Sequence, residues 1–187
     1  PLEYGGQRPP TAQWTVTGAG SAIVGLGGSG VRIADVTIGC ITDLGINDTN
    51  NMSAAMAPAA ADTLTAYFKD TQSKPNDFDL IITGDLGSVG ADLLRQLMER
   101  KGFPLNANYT DCGLLIYDRS KQDVHAGGSG CGCSAAVLCS YILGKMEAGE
   151  LKNVLFVATG ALMSPTSSQQ GESIPGIAHL CHLVSIS

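Results

Sequence analysis

The chain has 187 residues, enough for one domain or a large part of one, and is 44% apolar but only 15% charged. A net charge of −6 without any basic cluster excludes nucleic acid as the expected partner. No apolar run reaches the roughly 20 residues a membrane helix needs, and so low a charge content implies that something else covers part of the surface.

Residues 1–13 are polar and rich in Pro and Gly, and read as loop. They show no signal-peptide pattern and no initiator Met, so Pro1 is expected to be a processed end or an internal cut. Trp14–Thr17 and Ser21–Leu26 read as short strands broken by Gly18-Ala-Gly20, and Val31–Ile38 as the next strand. Gly25-Leu-Gly-Gly-Ser-Gly30 formally fits the dinucleotide pattern Gly-x-Gly-x-x-Gly. A strand-like alternation follows it instead of a helix, so it reads as a hairpin turn. Gly39–Met52 is a loop rich in Asp and Asn. Ser53–Asp70 predicts an Ala-rich helix, with Pro58 in its first turn if the helix starts near Met56 or Ala57.

Asp79–Thr83 is a short unbroken apolar run, the pattern of a strand buried on both faces. Gly84–Gly87 reads as a turn and Ser88–Lys101 as a helix stopped by Gly102. Gly113–Tyr117 reads as a strand, with Asp123–Ala126 beginning or extending its partner. Ser134–Glu147 reads as a helix and Asn153–Ala158 as a buried strand. Ile177–Ile186 is the final strand, after a mobile-looking stretch at Ser164–Glu172. Strands and helices in this order imply an α/β layered fold with a largely central sheet.

Chemistry concentrates at Ala126–Cys133, a glycine-rich loop directly ahead of a helix. Such a loop offers free N–H groups to an anion or a carbonyl oxygen. It lacks the Gly-Lys-Ser/Thr ending of a P-loop. Cys131 and Cys133 lie where a thiolate is favoured, and read either as a nucleophile or as small side chains filling a crowded turn. The six cysteines show no Cys-x-x-Cys and no zinc spacing, so no metal is expected, and reduced thiols in a cytosol-like compartment are. Ser134 reads as a helix N-cap or a hydroxyl at the loop mouth. Ser140, six residues on, faces elsewhere, to line a pocket or bond its own backbone. Asp85 ends a buried strand, where α/β sheets bind ligands, or simply serves the turn. His125, His179 and His182 are each candidate general bases, with His179 and His182 on opposite faces of their strand, but spacing alone assembles no triad.

Several segments carry a family likeness. Thr17-Gly-Ala-Gly-Ser-Ala-Ile-Val24 resembles the glycine-rich strand closing the first half of thiolase-fold enzymes. Ala126–Ala136 with its helix, then Asn153–Ala161, resemble the second half. Within that fold the chain resembles the stage V sporulation protein AD family, through Glu3-Tyr-Gly-Gly-Gln7, Ser53–Asp62, Ile82–Leu86, Asp111–Tyr117 and Ala158–Pro165. The resemblance implies the C-terminal half of a thiolase-like α/β layered fold: residues 1–38 close the first half, and residues 39–187 form the second. It also implies that the half bearing the nucleophilic cysteine is missing. Related condensing enzymes carry a histidine where this chain has Thr83-Gly-Asp85, and a His or Asn where it has Gly130–Cys133.

The resemblance therefore implies a protein that kept the fold and lost the chemistry. It would bind dipicolinic acid or its calcium chelate during uptake into the developing spore, with Asp85, Gly130, Cys131, Ser134 and Ser140 as candidate ligand-binding residues. No cofactor is expected beyond calcium carried with the ligand. The implied partners are membrane proteins of the same uptake system, and the missing N-terminal half or a second copy. The implied location is peripheral, on the cytoplasmic face of the spore inner membrane. A degenerate acyl transferase using Cys131 or Cys133, and a half-domain built to pair with another chain, are the alternatives. A bare helical face on Ser53–Phe68 or after Ser134 is expected to meet the missing half.

Overall fold

A computed structural model describes residues 8–186 of the chain. In order these form β1 (Trp14–Thr15), β2 (Gly30–Thr37), α1 (Met52–Thr71), β3 (Leu80–Thr83), α2 (Gly87–Arg100), β4 (Tyr109–Asp111) and α3 (Cys112–Leu115). Then come β5 (Gly128–Ser129), α4 (Cys131–Val137), α5 (Leu143–Glu147), β6 (Asn153–Ala161), α6 (Pro165–Gln169) and β7 (Gly176–Ile186). The motif Glu3–Gln7 lies outside the described residues.

The unbroken apolar runs become the inner strands of a five-stranded sheet of order β2-β7-β6-β3-β4. β6, β3 and β4 run parallel, while β7 is antiparallel to both β6 and β2. Alternate side chains of an inner strand point to opposite faces, and here both faces are covered. Ile81, Leu155, Val157 and Leu180 meet α1 and α2, with Leu64, Phe68, Leu94 and Met98. Ile82, Val154, Phe156 and Leu183 meet α4, α5 and the turn joining them, with Val137, Ile142 and Met146. The layered α/β class expected from the sequence is the one observed.

Four local readings are corrected. Cys112–Leu115 is a short helix where a strand was expected, because the Asp111 carboxylate accepts the Gly113 N–H and starts a helical turn. Ser21–Leu26 has no ladder partner among the described residues, so Gly25–Gly30 closes no hairpin. Pro58 lies well inside α1, which starts at Met52, and the helix runs on past it to Thr71. Ser164–Glu172 holds α6, capped by reciprocal Ser164 and Ser167 bonds. The edge strand β2 pairs with β7 from Gly30 to Thr37.

The bare apolar surface lies elsewhere than expected on α1. That helix is covered by α2 and the sheet, with Ala55–Ala61, Leu64, Tyr67 and Phe68 buried. Instead Ile23, Val24 and Leu26 are exposed, as are Ile33 and Val36 of the edge strand β2, then Ile38, Ile41 and Leu44. Past Ser134, Tyr141 is also exposed. No helix among the described residues is long and apolar enough to cross a membrane.

Candidate functional site

Parallel β3 ends beside β6, with Thr83 opposite Val157, so Asp85 leaves the strand end next to Thr159 of β6, which runs on to Ala161. The Thr159 hydroxyl donates to Asp85 Oδ1 at 2.8 Å and accepts the Asp85 N–H at 3.1 Å. The Gly130 N–H donates to Asp85 Oδ2 at 2.8 Å, and the Ser129 hydroxyl reaches the same oxygen at 3.4 Å. Gly130 caps α4 at φ 97°, a conformation that favours glycine. The Asp85 carboxylate thus already occupies the loop N–H that the sequence offered to a ligand's anion. Burial raises the Asp85 carboxyl above its ordinary range, against the pull of these donors.

Behind it sits a second carboxylate. Asp111 is fully buried, accepting from Thr83 Oγ1 at 2.6 Å and from the Leu86, Gly87 and Gly113 N–H groups at 2.9 Å. Burial pushes it up to about 6, with the neighbouring Asp85 charge adding to the effect. The Gln13 amide ties the Asp85 and Gly128 carbonyls together, at 2.8 Å each. None of these hydrogen bonds to the two carboxylates comes from a lysine or arginine.

The cysteines divide. Cys131 opens α4 and is exposed, whereas Cys133 is buried with its thiol toward the Gly84 carbonyl. Burial and the Asp111 and Asp85 charges push Cys133 up to about 12, which corrects the thiolate reading of this residue. The helix N-terminus is overridden by desolvation. In the folded chain, iodoacetamide is expected to label Cys131 and to spare Cys112 and Cys133 until denaturant is added. Labelling of Cys133 as fast as Cys131, read by mass spectrometry, would contradict this placement.

Ser134 is the fourth residue of α4 and not its cap; it packs beside Gly84, where an added Cβ would lie 3.6 Å from its own. Asp85, Gly130, Cys131 and Ser134 therefore gather around one strand end. Ser140 stands apart: it is exposed and its hydroxyl donates to the Ala136 carbonyl at 2.6 Å, within a π turn at Leu138–Ile142. His125 faces the Pro9 carbonyl and Asp123, His179 accepts the Gly39 N–H, and His182 joins Asp35, so none of the three bonds the loop. Thr159, Asp111 and Gln13 were missed. A usable signal existed for Thr159, a hydroxyl ending a buried apolar run just as Thr83 does.

A second close approach shapes this end of the sheet. Gly18-Ala-Gly20 crosses α4 so tightly that a Cβ on Gly20 would lie 2.1 Å from the Ala135 carbonyl oxygen, and one on Gly132 2.3 Å from that of Gly18.

The family model described as "Stage V sporulation protein AD" matches residues 1–185. Stage V sporulation protein AD of Bacillus subtilis (strain 168) is 49% identical over 179 residues, 96% of this chain and 53% of that protein. The chain thus spans about half the length of that relative. Among solved structures, 3-oxoacyl-(acyl-carrier-protein) synthase III from Aquifex aeolicus VF5 overlaps with a TM-score of 0.41 at 13% identity, over 80% of this chain and 45% of that one.

Proposed function

The chain belongs to the stage V sporulation protein AD family, and from that membership we propose that it binds dipicolinic acid, as its calcium chelate, for uptake into the developing spore. One observation carries the choice of the chelate. The Asp85 carboxylate is seated on the Gly130 N–H, so a free dianion arriving there would meet a second negative charge and no cationic side chain bonded to it. Calcium removes that conflict. It takes six to eight oxygen ligands and favours carboxylates. Dipicolinate supplies part of the shell through its ring nitrogen and two carboxylates, and Asp85 supplies one more oxygen. This fits the absence, among the described residues, of any group of three or more His, Cys, Asp or Glu able to hold a metal by themselves.

Binding without catalysis is supported by the side chains at the two positions that condensing enzymes fill with His or Asn. Here Asp85 is locked by Thr159 and Gly130, and Gly130–Cys133 brings two glycines, the exposed Cys131 and the buried Cys133 thiol, which is held protonated. Titration calorimetry of the full-length protein with dipicolinate, with and without equimolar calcium, tests the reading. Heat of binding is expected with the chelate and little with free dipicolinate. Silence in both arms would end it, and acylation of Cys131 by a thioester donor would favour acyl transfer instead.

A second reading, a half-domain that pairs with further chain, rests on the exposed Ile23, Val24, Leu26, Ile33 and Val36. So many exposed apolar side chains are unusual on a monomer's free surface. The remaining half of a full-length family member, or a second copy, would cover them. The implied membrane partners and peripheral site at the spore inner membrane belong to the same proposal. The 187-residue chain alone should self-associate in sedimentation runs at high concentration. Clean monomeric behaviour there would count against a covered face.

A further inference from the structure

At the opposite end of the sheet from Asp85 a polar cluster joins four elements, and none of it serves the site above. The β2–β7 ladder shifts register between Ile33 and Asp35, a bulge that places Asp35 directly opposite His182. The His182 ring packs edge-on against both Phe78 and Tyr67, which also touch each other. Its Nδ1 is 2.9 Å from Asp35 Oδ2 and 3.1 Å from the Tyr67 hydroxyl, and its Nε2 is 2.5 Å from Asn153 Oδ1.

These partners fix the ring's protons. The Asn153 amide nitrogen donates to the Asp77 carbonyl at 2.8 Å, and a carbonyl can only accept. Asn153 Oδ1 therefore faces Nε2, which must carry a hydrogen. On the other side Nδ1 lies 2.9 Å from a carboxylate oxygen, which a hydrogen on Nδ1 would bond and a bare lone pair would repel. Tyr67 keeps its proton, since burial and the Asp35 charge both raise it, and is free to give it to Asp35. The groups facing the ring are Asp35 from β2, Tyr67 from α1 and Asn153 from β6. The nearby Asp79 carboxylate is turned to the Lys152 and Asn153 N–H groups. Among the described residues no lysine or arginine pairs with Asp35.

We propose that His182 is an imidazolium in the folded protein and that its bond to Asp35 clasps the edge strand β2 to the core. When the ring loses a proton, Nδ1 turns from donor to repelled lone pair, and β2 loosens. That strand carries Ile33 and Val36 of the exposed apolar surface, so the clasp sets the order of that face.

The test is NMR of the full-length protein between about pH 5 and 8, where imidazole changes charge. Ring nitrogen shifts of His182 report its protons, and exchange of the residue 31–37 amides, corrected for the intrinsic rate, reports the strand. At the acid end both nitrogens should carry hydrogen. With rising pH, β2 exchange should quicken about tenfold, the size of one charge-assisted bond. Asp35→Asn, at a half-exposed position, should fold and lose that step, as should His182→Gln. A neutral His182 ring at the acid end would overturn the proposal, as would an unchanged step in Asp35→Asn.

Discussion

Replacing Asp111 with alanine is expected to cost about 3–5 kcal/mol of stability in urea unfolding, or to prevent folding of the chain. The reason is what the carboxylate leaves behind. Thr83 Oγ1 and the Leu86, Gly87 and Gly113 N–H groups all donate to it in a fully buried site, and alanine would strand the three N–H groups, while Thr83 keeps Tyr109 Oη at 3.0 Å. The two turns that begin α2 and α3 would lose the group that joins them. Asp111→Asn should cost less, about 1–3 kcal/mol, because one oxygen still accepts from Gly87 and Gly113 while the amide nitrogen faces the Leu86 N–H. The pH dependence has a definite sign. Burial lifts Asp111 to about 6 in the fold, whereas an unfolded aspartate titrates near roughly 3.9. The folded state therefore binds the proton more tightly. The contribution of this group is fullest below the unfolded value and falls as pH rises to about 6, then levels off. Asp111→Asn should remove that slope. A slope unchanged in the variant would show that the carboxyl is already ionised in acid.

Asp85→Asn is expected to weaken binding of the calcium chelate at least tenfold, about 1.4 kcal/mol, while leaving the fold nearly intact. An amide keeps one acceptor for Thr159 or Gly130 but loses the charge that would meet calcium. Free dipicolinate should bind the variant no worse than the parent, since a repelling charge has gone. Burial raises the Asp85 carboxyl, so chelate affinity of the parent should climb as pH leaves the acid range, and that climb should vanish in Asp85→Asn. Equal chelate affinity in both proteins would remove Asp85 from the site.

Much of the sheet was legible because buried parallel strands leave an unmistakable run, as at Leu80–Thr83 and Asn153–Ala158. Gly113–Tyr117 carries the same apolar signature and misleads. A capping carboxylate two residues upstream decides for helix, and apolar content alone does not register it. Ser21–Leu26 reads as a strand for sound local reasons, yet a strand needs a neighbour, and the described residues hold none. At the site, a strand end singled out Asp85 and a glycine loop singled out Gly130, each on its own. That the loop N–H would be taken by the protein's own carboxylate was not legible, because residues 45 apart in the chain give no sign of their meeting. Cys133 failed as a thiolate for a related reason: a helix N-terminus is visible in sequence, but burial against two carboxylates is not.

The most direct measurement is a crystal structure of the full-length protein grown with the calcium chelate of dipicolinate. The account predicts density for the metal against the Asp85 carboxylate, with the ligand ring over the Gly130–Ser134 turn. Ligand bound away from Asp85, or a metal-free dipicolinate held by basic side chains, would contradict it.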